Sequence, residues 1–231
     1  MPAKFVGHPL FEHEPDYATL DKIIAQWPSS GPRIALMPGS RPGEIRKCFP
    51  LILAAFRRVK GDIPSATGVI PITQPEVVGV LQALAEEHGG WVEGMHVVPG
   101  NTDAVVRWCD VALVASGTVT LQVARQIKPM VTFYRMGNSL RLPFDLFGGM
   151  VFKTKHFTLP NLIAGREAVT ELVPYFGEGH ELAVGLYRLL RQPGCADGQR
   201  DALTKIVQQF KGYRCGELAA DVVERIAGMR P

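Results

Sequence analysis

Short apolar runs alternate with amphipathic helical patterns from residue 33 to about residue 134, and this alternation constrains the fold more than any other feature. Strands that take turns with helices form a parallel sheet with helices on both faces. We therefore predict an α/β fold with a doubly wound, Rossmann-like parallel sheet. The predicted strands are 33–37, 66–72, 95–99, 110–115 and 129–134. The predicted helices are 75–88, 101–109 and 118–126, with an earlier helix that follows the turn in 38–45 and runs to about residue 60.

The pattern changes after about residue 135, where the strand-like runs end. Residues 159–228 show helical patterns that are interrupted at glycines and prolines, so we expect a helical C-terminal region. Within the helix that runs to about residue 60, Pro50 predicts a restart, because proline lacks the N–H group of a helical hydrogen bond. Residues 1–32, before the first strand, are predicted to form a linker with one short helix.

Composition argues against several classes of function. The net charge is +3, from 25 basic and 22 acidic residues scattered along the chain, so we expect no nucleic-acid partner. The four cysteines show no C-x-x-C spacing and no suitable histidine nearby, which indicates reduced thiols and no metal site. No apolar run approaches the roughly 20 residues that span a bilayer, and the N-terminus resembles no signal peptide. We expect a protein that is soluble or peripherally bound to a membrane.

Two turns that follow predicted strands carry the chemistry of an anion site. In an open α/β sheet, ligands bind beyond the carboxyl ends of the strands, where helix N-termini offer free N–H donors and partial positive charge. Both turns combine a glycine with a hydroxyl, and the first adds an arginine, whose guanidinium suits a phosphate. The two turns are Gly39-Ser40-Arg41 and Ser116-Gly117-Thr118.

The alternative for either turn is an ordinary strand-to-helix connection, since glycine and serine are common turn and capping residues. Each turn alone is equally consistent with both interpretations. Two such turns in one sheet, one of them with Arg41, favour a diphosphate-binding site. Neither turn matches the G-x-G-x-x-G or G-x-x-x-x-G-K-[ST] pattern, which disfavours the usual dinucleotide fold and a Walker-type ATPase.

Two further stretches carry candidate polar residues. Tyr134 and Arg135 end the last predicted strand, where the alternative is a strand-terminal aromatic ring beside a solvated charge. Asn161 stands at a predicted helix start, and Arg166 and Glu167 follow a glycine. The alternative for Arg166 and Glu167 is a surface ion pair, which contributes little to stability.

Five motifs stand in one order along most of the chain, from residue 5 to about residue 172. They are FVGHPL (5–10), LMPGSRPGEI (36–45), LVASGTVTLQ (113–122), PMVTFYRM (129–136) and LPNLIAGREAVTEL (159–172). In this order and at these intervals, the motifs resemble those of the lipid-A-disaccharide synthases, glycosyltransferases of the GT-B class. The PNL-AGRE element is the most specific, whereas the SGT element recurs in many nucleotide-sugar enzymes.

The resemblance implies the C-terminal half of a GT-B fold, which binds the nucleotide sugar. It implies transfer of 2,3-diacylglucosamine from UDP-2,3-diacylglucosamine to the acylated acceptor 2,3-diacylglucosamine 1-phosphate, without a metal or cofactor. The products are the lipid A disaccharide phosphate and UDP. The family's N-terminal half supplies the acceptor site and a catalytic carboxylate, and we expect both on a separate acceptor-half protein. The family also implies a cytoplasmic protein in weak peripheral contact with the cytoplasmic face of the inner membrane.

The resemblance implies roles for the candidate residues. Arg41 and the backbone of the two turns are expected to stabilise the leaving diphosphate, with help from Arg135 or Arg166. Asn161 is expected to make a polar contact in the active cleft, and Glu167 to orient Arg166. The expected substrate-binding residues are Gly39, Ser40, Arg41, Ser116, Gly117, Thr118, Gln122, Tyr134, Arg135, Arg166 and Glu167, and the expected catalytic residues are Arg41 and Asn161.

Gln122 departs from the family, which usually has a glutamate there. A glutamate accepts hydrogen bonds from both ribose hydroxyls of UDP, whereas a glutamine keeps one acceptor oxygen and adds donors. We therefore expect weaker or altered nucleotide affinity. Gln122 and the missing half favour a rival function, a non-catalytic or degenerate nucleotide-binding module. A second rival is an enzyme similar to UDP-N-acetylglucosamine 2-epimerase, which the PNL-AGRE element disfavours.

The domain organisation expected from the resemblance has three parts. Residues 1–32 are a linker with a first helix, 33–175 a nucleotide-sugar-binding Rossmann-like domain, and 176–231 C-terminal helices. These helices are expected to pack on the same domain or to be exchanged in a homodimer, as in the family's dimers. Segment 138–157 mixes large apolar and basic residues, which is equally consistent with a membrane-interface segment and with a buried helix and loop.

Overall fold

Residues 3–137 and 155–228 are described by the computed structural model, and within them six parallel strands form one sheet. The strands are β1 Arg33–Met37, β2 Thr67–Ile72, β3 Met95–Pro99, β4 Val111–Ala115, β5 Met130–Arg135 and β6 Thr170–Tyr175. They lie side by side in the order β3-β2-β1-β4-β5-β6, which brings β1 and β4 together in the middle of the sheet. This order is that of a Rossmann-like doubly wound sheet and confirms the predicted fold class.

Helices cover both faces of the sheet. They are α1 Tyr17–Ile24, α2 Pro42–Asp62, α3 Val77–Glu87, α4 Thr102–Trp108, α5 Val119–Arg125, α6 Leu159–Ala164, α7 His180–Arg191, α8 Pro193–Gln208 and α9 Cys215–Ile226. Strand β1 shows why two layers form, because its side chains alternate between two apolar cores. Ile34 and Leu36 pack with α2, α3 and α7, and Ala35 and Met37 pack with α4, α5 and α8. A strand that is apolar on both sides requires helices on both sides.

The first five strands match their predicted bounds to within one residue. The prediction that no strand follows residue 135 is wrong, because Thr170–Tyr175 forms β6 in parallel with β5. Gly165 adopts the left-handed backbone conformation (φ +64°) and ends α6. The β-branched Val169, Thr170 and Val173 then favour extended backbone. Pro174 is tolerated because β6 is an edge strand, where a missing N–H group breaks no ladder on the open side.

The predicted restart at Pro50 is also wrong, since α2 runs without a break from Pro42 to Asp62. An internal proline disfavours a helix by about 3 kcal/mol. The buried face of α2 offsets this, because Phe49, Ile52 and Phe56 are all fully buried in the first core. Burial of large apolar side chains contributes about 1.5–3 kcal/mol each.

The helices after β6 pack on the sheet of their own chain. Leu182 and Leu186 of α7 lie in the first core, and Leu203 of α8 lies in the second. Helix α9 differs, since its Val223 and Ile226 are 65% and 83% exposed. Residues 138–154 of the predicted apolar segment lie outside the described residues. Among the helices of the described ranges, none is both long and apolar enough to span a membrane.

Candidate functional site

A cavity of about 420 Å³ opens at the carboxyl ends of β1 and β4. The strand order reverses between these two neighbours, and ligands of open α/β folds bind at such a crossover. Both predicted turns contribute to its wall, together with the start of α5. The predicted binding residues that line the cavity are Gly39, Ser40, Arg41, Ser116, Gly117, Thr118 and Gln122.

The first turn connects β1 to α2. Gly39 has a φ of +103°, a conformation that a residue with a side chain rarely adopts. Arg41 precedes the first turn of α2, and its side chain makes no capping hydrogen bond. Within the described part of the chain, the backbone N–H groups of Ser40 and Arg41 have no acceptor. The first turn therefore presents free donors at the start of a long helix.

The second turn connects β4 to α5 and is stabilised by two hydrogen bonds. The Ser116 N–H donates to the Phe133 carbonyl at 2.7 Å, and the Thr120 hydroxyl donates to the Gly117 carbonyl at 2.7 Å. The N–H groups of Gly117 and Thr118 find no acceptor among the residues described. This turn also presents unbonded donors to the cavity, on a neighbouring strand of the same sheet.

A charged pair stands in the cavity wall at the start of α2. The Arg41 guanidinium lies 3.2 Å from the Glu44 carboxylate, and the two side chains are 83% and 37% exposed. Sequence reasoning missed Glu44, although its position three residues after Arg41 in a first helical turn is a recognisable signal. The cavity therefore holds one arginine and one carboxylate rather than an arginine alone.

Gln122 lies one turn into α5 and also lines the cavity. It is half-buried, and its amide makes no hydrogen bond within the described ranges. An amide at this position offers one acceptor oxygen and two N–H donors to a ligand.

Tyr134 and Arg135 end β5 but are absent from the wall of the cavity. Tyr134 is 44% exposed. The Arg135 guanidinium donates to the Gly177 carbonyl at 2.5 Å, across the ends of β5 and β6. The structure thus gives Arg135 a role in holding the loop after β6.

Asn161 is fully buried, and its amide is occupied by the chain itself. Its oxygen accepts the N–H groups of Ala168 and Val169 at 2.8 and 2.9 Å. Its NH₂ group donates to the Val169 carbonyl at 3.0 Å and to the Glu171 carboxylate at 2.6 Å. The predicted contact with substrate is therefore replaced by a structural one, because the amide keeps no donor or acceptor for a ligand in this arrangement.

Arg166 and Glu167 follow the end of α6 and are both exposed. They lie outside the cavity wall, and no ion pair joins them among the described residues. The predicted orientation of Arg166 by Glu167 is not seen. The motif 159–172 thus forms a helix, a turn and the start of a strand, and its asparagine is buried.

The N-terminal segment reaches the rim of the cavity through Leu10. Arg125 of α5 holds it there by donating to the Leu10 carbonyl at 2.9 Å. The same guanidinium donates to the Asp103 carboxylate at 2.7 Å, and the Arg125 side chain is 11% exposed. No local pattern predicts this contact, because its partners lie far apart along the chain.

Burial alters the acidity of two cysteine thiols in the parts of the chain described. Burial raises the pKa of the Cys109 thiol to about 12 and also raises the pKa of Cys48. A thiol with a raised pKa is a poor nucleophile and metal ligand, since the thiolate is the reactive form. No group of three or more His, Cys, Asp or Glu side chains suited to a metal ion occurs within residues 3–137 and 155–228.

Comparison with known proteins gives relatives of one family. A family model described as lipid-A-disaccharide synthetase matches residues 1–220. The lipid-A-disaccharide synthases of Anaeromyxobacter dehalogenans and Pseudomonas paraeruginosa are each 32% identical to this chain, covering 88% and 97% of it. That of Geobacter sulfurreducens is 28% identical over 99% of the chain. The matches cover 52%, 58% and 58% of these relatives, so the chain spans little more than half of their length.

Solved structures share the fold at low sequence identity. HepE of Anabaena in complex with UDP-glucose has a TM-score of 0.61 and 14% identity, covering 95% of this chain and 56% of that one. WaaG, a glycosyltransferase involved in lipopolysaccharide biosynthesis, has a TM-score of 0.58 and 17% identity, covering 93% and 54%. At these identities the likeness concerns the fold alone. The match of the family model to nearly the whole sequence goes further, and it shows that this chain belongs to the lipid-A-disaccharide synthetase family.

Proposed function

We propose that this chain binds UDP-2,3-diacylglucosamine, the sugar donor of lipid A disaccharide synthesis, and stabilises UDP as it leaves. The observation that carries the proposal is the cavity at the β1–β4 crossover, where two turns present backbone N–H groups without acceptors. Membership of the family supports the choice of donor. HepE, which shares the fold, has been solved with UDP-glucose, and this supports a UDP-sugar in a site of this kind.

In this proposal the diphosphate lies between the two turns. The N–H groups of Ser40 and Arg41 on one side, and of Gly117 and Thr118 on the other, donate to phosphate oxygens. The N-terminus of α2 adds partial positive charge, and the Arg41 guanidinium adds a full one. Negative charge builds up on UDP as its bond to the sugar breaks, so the same donors act more strongly in the transition state.

Gln122 is the proposed partner of the ribose. It lies in the cavity wall, one helical turn beyond the second diphosphate-binding turn. Its amide oxygen accepts from one ribose hydroxyl, where the family's usual glutamate accepts from two. The proposal therefore includes a site that is complete in geometry but weaker toward ribose.

The proposed cavity accounts for the donor side of the reaction and not for the acceptor side. The acceptor hydroxyl of 2,3-diacylglucosamine 1-phosphate needs a base to take its proton. Glu44, the carboxylate in the cavity wall, is already paired with Arg41. We therefore propose a carboxylate of the family's acceptor half, and not Glu44, as this base.

We also propose peripheral contact with the cytoplasmic face of the inner membrane, and a homodimer. The acyl chains of both substrates favour a protein that works at a membrane surface. The exposed Val223 and Ile226 of α9 offer apolar surface for a second copy. Vesicle sedimentation tests the membrane contact, and the sedimentation coefficient of the purified chain tests the homodimer.

Titration calorimetry with UDP tests the donor site. We expect saturable binding that is weakened by Arg41→Ala and unchanged by Arg214→Ala, a matched substitution before the first turn of α9. The absence of heat at millimolar UDP would count against the proposal.

Activity requires a second experiment, in which the chain is mixed with the acceptor half of a family member and both acylated substrates. Formation of disaccharide supports the proposal. Binding of UDP without disaccharide favours a non-catalytic module, and epimerisation of added UDP-N-acetylglucosamine favours the epimerase-like rival.

A further inference from the structure

Glu44 places a carboxylate in the wall of a cavity that is proposed to receive a diphosphate. Its Oε1 lies 3.2 Å from Nη1 of Arg41. A carboxylate and a diphosphate carry charges of the same sign, so Glu44 weakens the binding of any diphosphate in this cavity. The presence of Glu44 therefore needs a reason beyond anion binding.

The second carboxylate oxygen of Glu44 packs against the first turn. A Cβ atom built on Gly39 would lie 2.8 Å from Oε2 and 3.0 Å from the Glu44 Cβ. The absence of a side chain at Gly39 thus makes room for this carboxylate. Within the described residues, Oε2 accepts no hydrogen bond, and an ionised carboxylate oxygen has only acceptor capacity. Glu44, a residue of the cavity wall, therefore has an unused acceptor oxygen.

The start of α9 provides a control within the same molecule. There Arg214 precedes the first helical turn, and its guanidinium lies 2.9 Å from the Glu217 carboxylate, with the same spacing of three residues. An acidic residue in a first turn stabilises a helix through the helix dipole, and this explains Glu217 and part of Glu44. However, Glu217 lies outside the cavity wall. Helix stabilisation does not explain why Glu44 lines the cavity.

We propose that Glu44 is a specificity-determining residue that accepts a hydrogen bond from the sugar of the donor. This inference rests on the proposed function. The bonding group is a hydroxyl or amide N–H of the sugar next to the diphosphate, since a carboxylate oxygen can bind only a hydrogen-bond donor. A nucleotide sugar then gains a contact that compensates for the repulsion. Free UDP meets the repulsion alone, which favours its release after transfer.

Glu44→Gln tests this inference against Glu217→Gln. The binding constants of UDP and of short-chain UDP-2,3-diacylglucosamine are measured by calorimetry for the two variants and the unaltered chain. For Glu44→Gln we expect UDP to bind about threefold tighter, because the repelling charge is gone. The preference for the nucleotide sugar over UDP should fall about tenfold, the size expected for a hydrogen bond to a charged group. Glu217→Gln should change neither quantity.

Two outcomes overturn the inference: an unchanged preference in Glu44→Gln, or an equal weakening of both ligands, which indicates a purely structural residue. Thermal unfolding of both variants provides a folding control, since each should lose only the stability that its own Arg–Glu pair contributes. If the unaltered chain binds no UDP, the proposed function itself fails, and this result is distinct from either outcome above.

Discussion

Two regions of the same sheet use their polar groups in opposite ways. At the ends of β1 and β4, the two turns leave backbone N–H groups without acceptors around an open cavity. At the start of β6, the polar groups bond to one another, as in the buried Asn161 amide and the Glu171 carboxylate that it contacts. Unsatisfied donors are available to a ligand, whereas satisfied ones stabilise the fold. The first region should therefore respond to mutation in ligand binding, and the second in stability.

The largest expected effect is on stability, at Asn161. Asn161→Ala removes the partner of two buried backbone N–H groups and should lower the free energy of unfolding by about 2–4 kcal/mol. Urea unfolding followed by circular dichroism measures the loss. The exposed Arg166 provides the control, since Arg166→Ala should stay within about 0.5 kcal/mol of the unaltered chain. The proposed difference between the two regions is contradicted if Asn161→Ala weakens UDP binding and leaves the free energy of unfolding unchanged.

The next effect is on binding, at Arg41. Arg41→Ala removes a charge-assisted contact to the diphosphate and should weaken UDP binding about 10- to 100-fold. Its exposed side chain contributes little to folding, so the free energy of unfolding should change by less than about 0.5 kcal/mol. Calorimetry and urea unfolding on one sample measure both quantities. A loss of unfolding free energy larger than the loss of UDP-binding free energy would contradict the difference between the two regions.

A smaller effect is expected at Gln122. Gln122→Glu supplies a second acceptor oxygen for the ribose hydroxyls and should strengthen UDP binding about fivefold. The gain should disappear when 2′-deoxy-UDP replaces UDP, because one of the two hydroxyls is then absent. An equal gain with both nucleotides would show that residue 122 does not contact the ribose.

The smallest effect is a pH dependence of the β6 end. Burial, with a hydrogen bond to Glu181, raises the pKa of Tyr175 above the ordinary value of 10.0. A raised folded-state pKa contributes stability that is complete below pH 10 and is lost as the pH rises further. The loss attributable to Tyr175 should stay below about 1 kcal/mol at pH 10.5. Urea unfolding at pH 9 and pH 10.5 should show a smaller decrease for Tyr175→Phe than for the unaltered chain, and equal decreases would contradict this assignment.

The sequence predicted the parts of this fold that depend on local patterns. Five strands followed from apolar runs between turn residues, and the two cavity turns followed because the ends of parallel strands meet at one edge. Strand β6 was missed because the leucines and alanine around Asn161 continue a helical pattern, and only Gly165 and the β-branched residues after it mark the change. The helical break at Pro50 was wrongly predicted because burial of the surrounding face depends on tertiary packing.

The parts of the site that are formed by backbone N–H donors could be predicted from the sequence. The parts that depend on the hydrogen-bond partners of side chains could not. The sequence of the PNL-AGRE element does not distinguish an asparagine that binds substrate from one that forms hydrogen bonds with the backbone of its own chain. That distinction depends on the path of residues 165–171, which returns the chain to Asn161. Glu44 was overlooked for the converse reason, since a first-turn glutamate usually has a local role.

The position of the diphosphate is the central claim, and backbone amide chemical shifts during a UDP titration test it most directly. We predict the largest shifts at Ser40, Arg41, Gly117 and Thr118, with little change in the side-chain amide of Asn161. Shifts concentrated at Asn161 and residues 165–171, with the two cavity turns unaffected, would contradict the account.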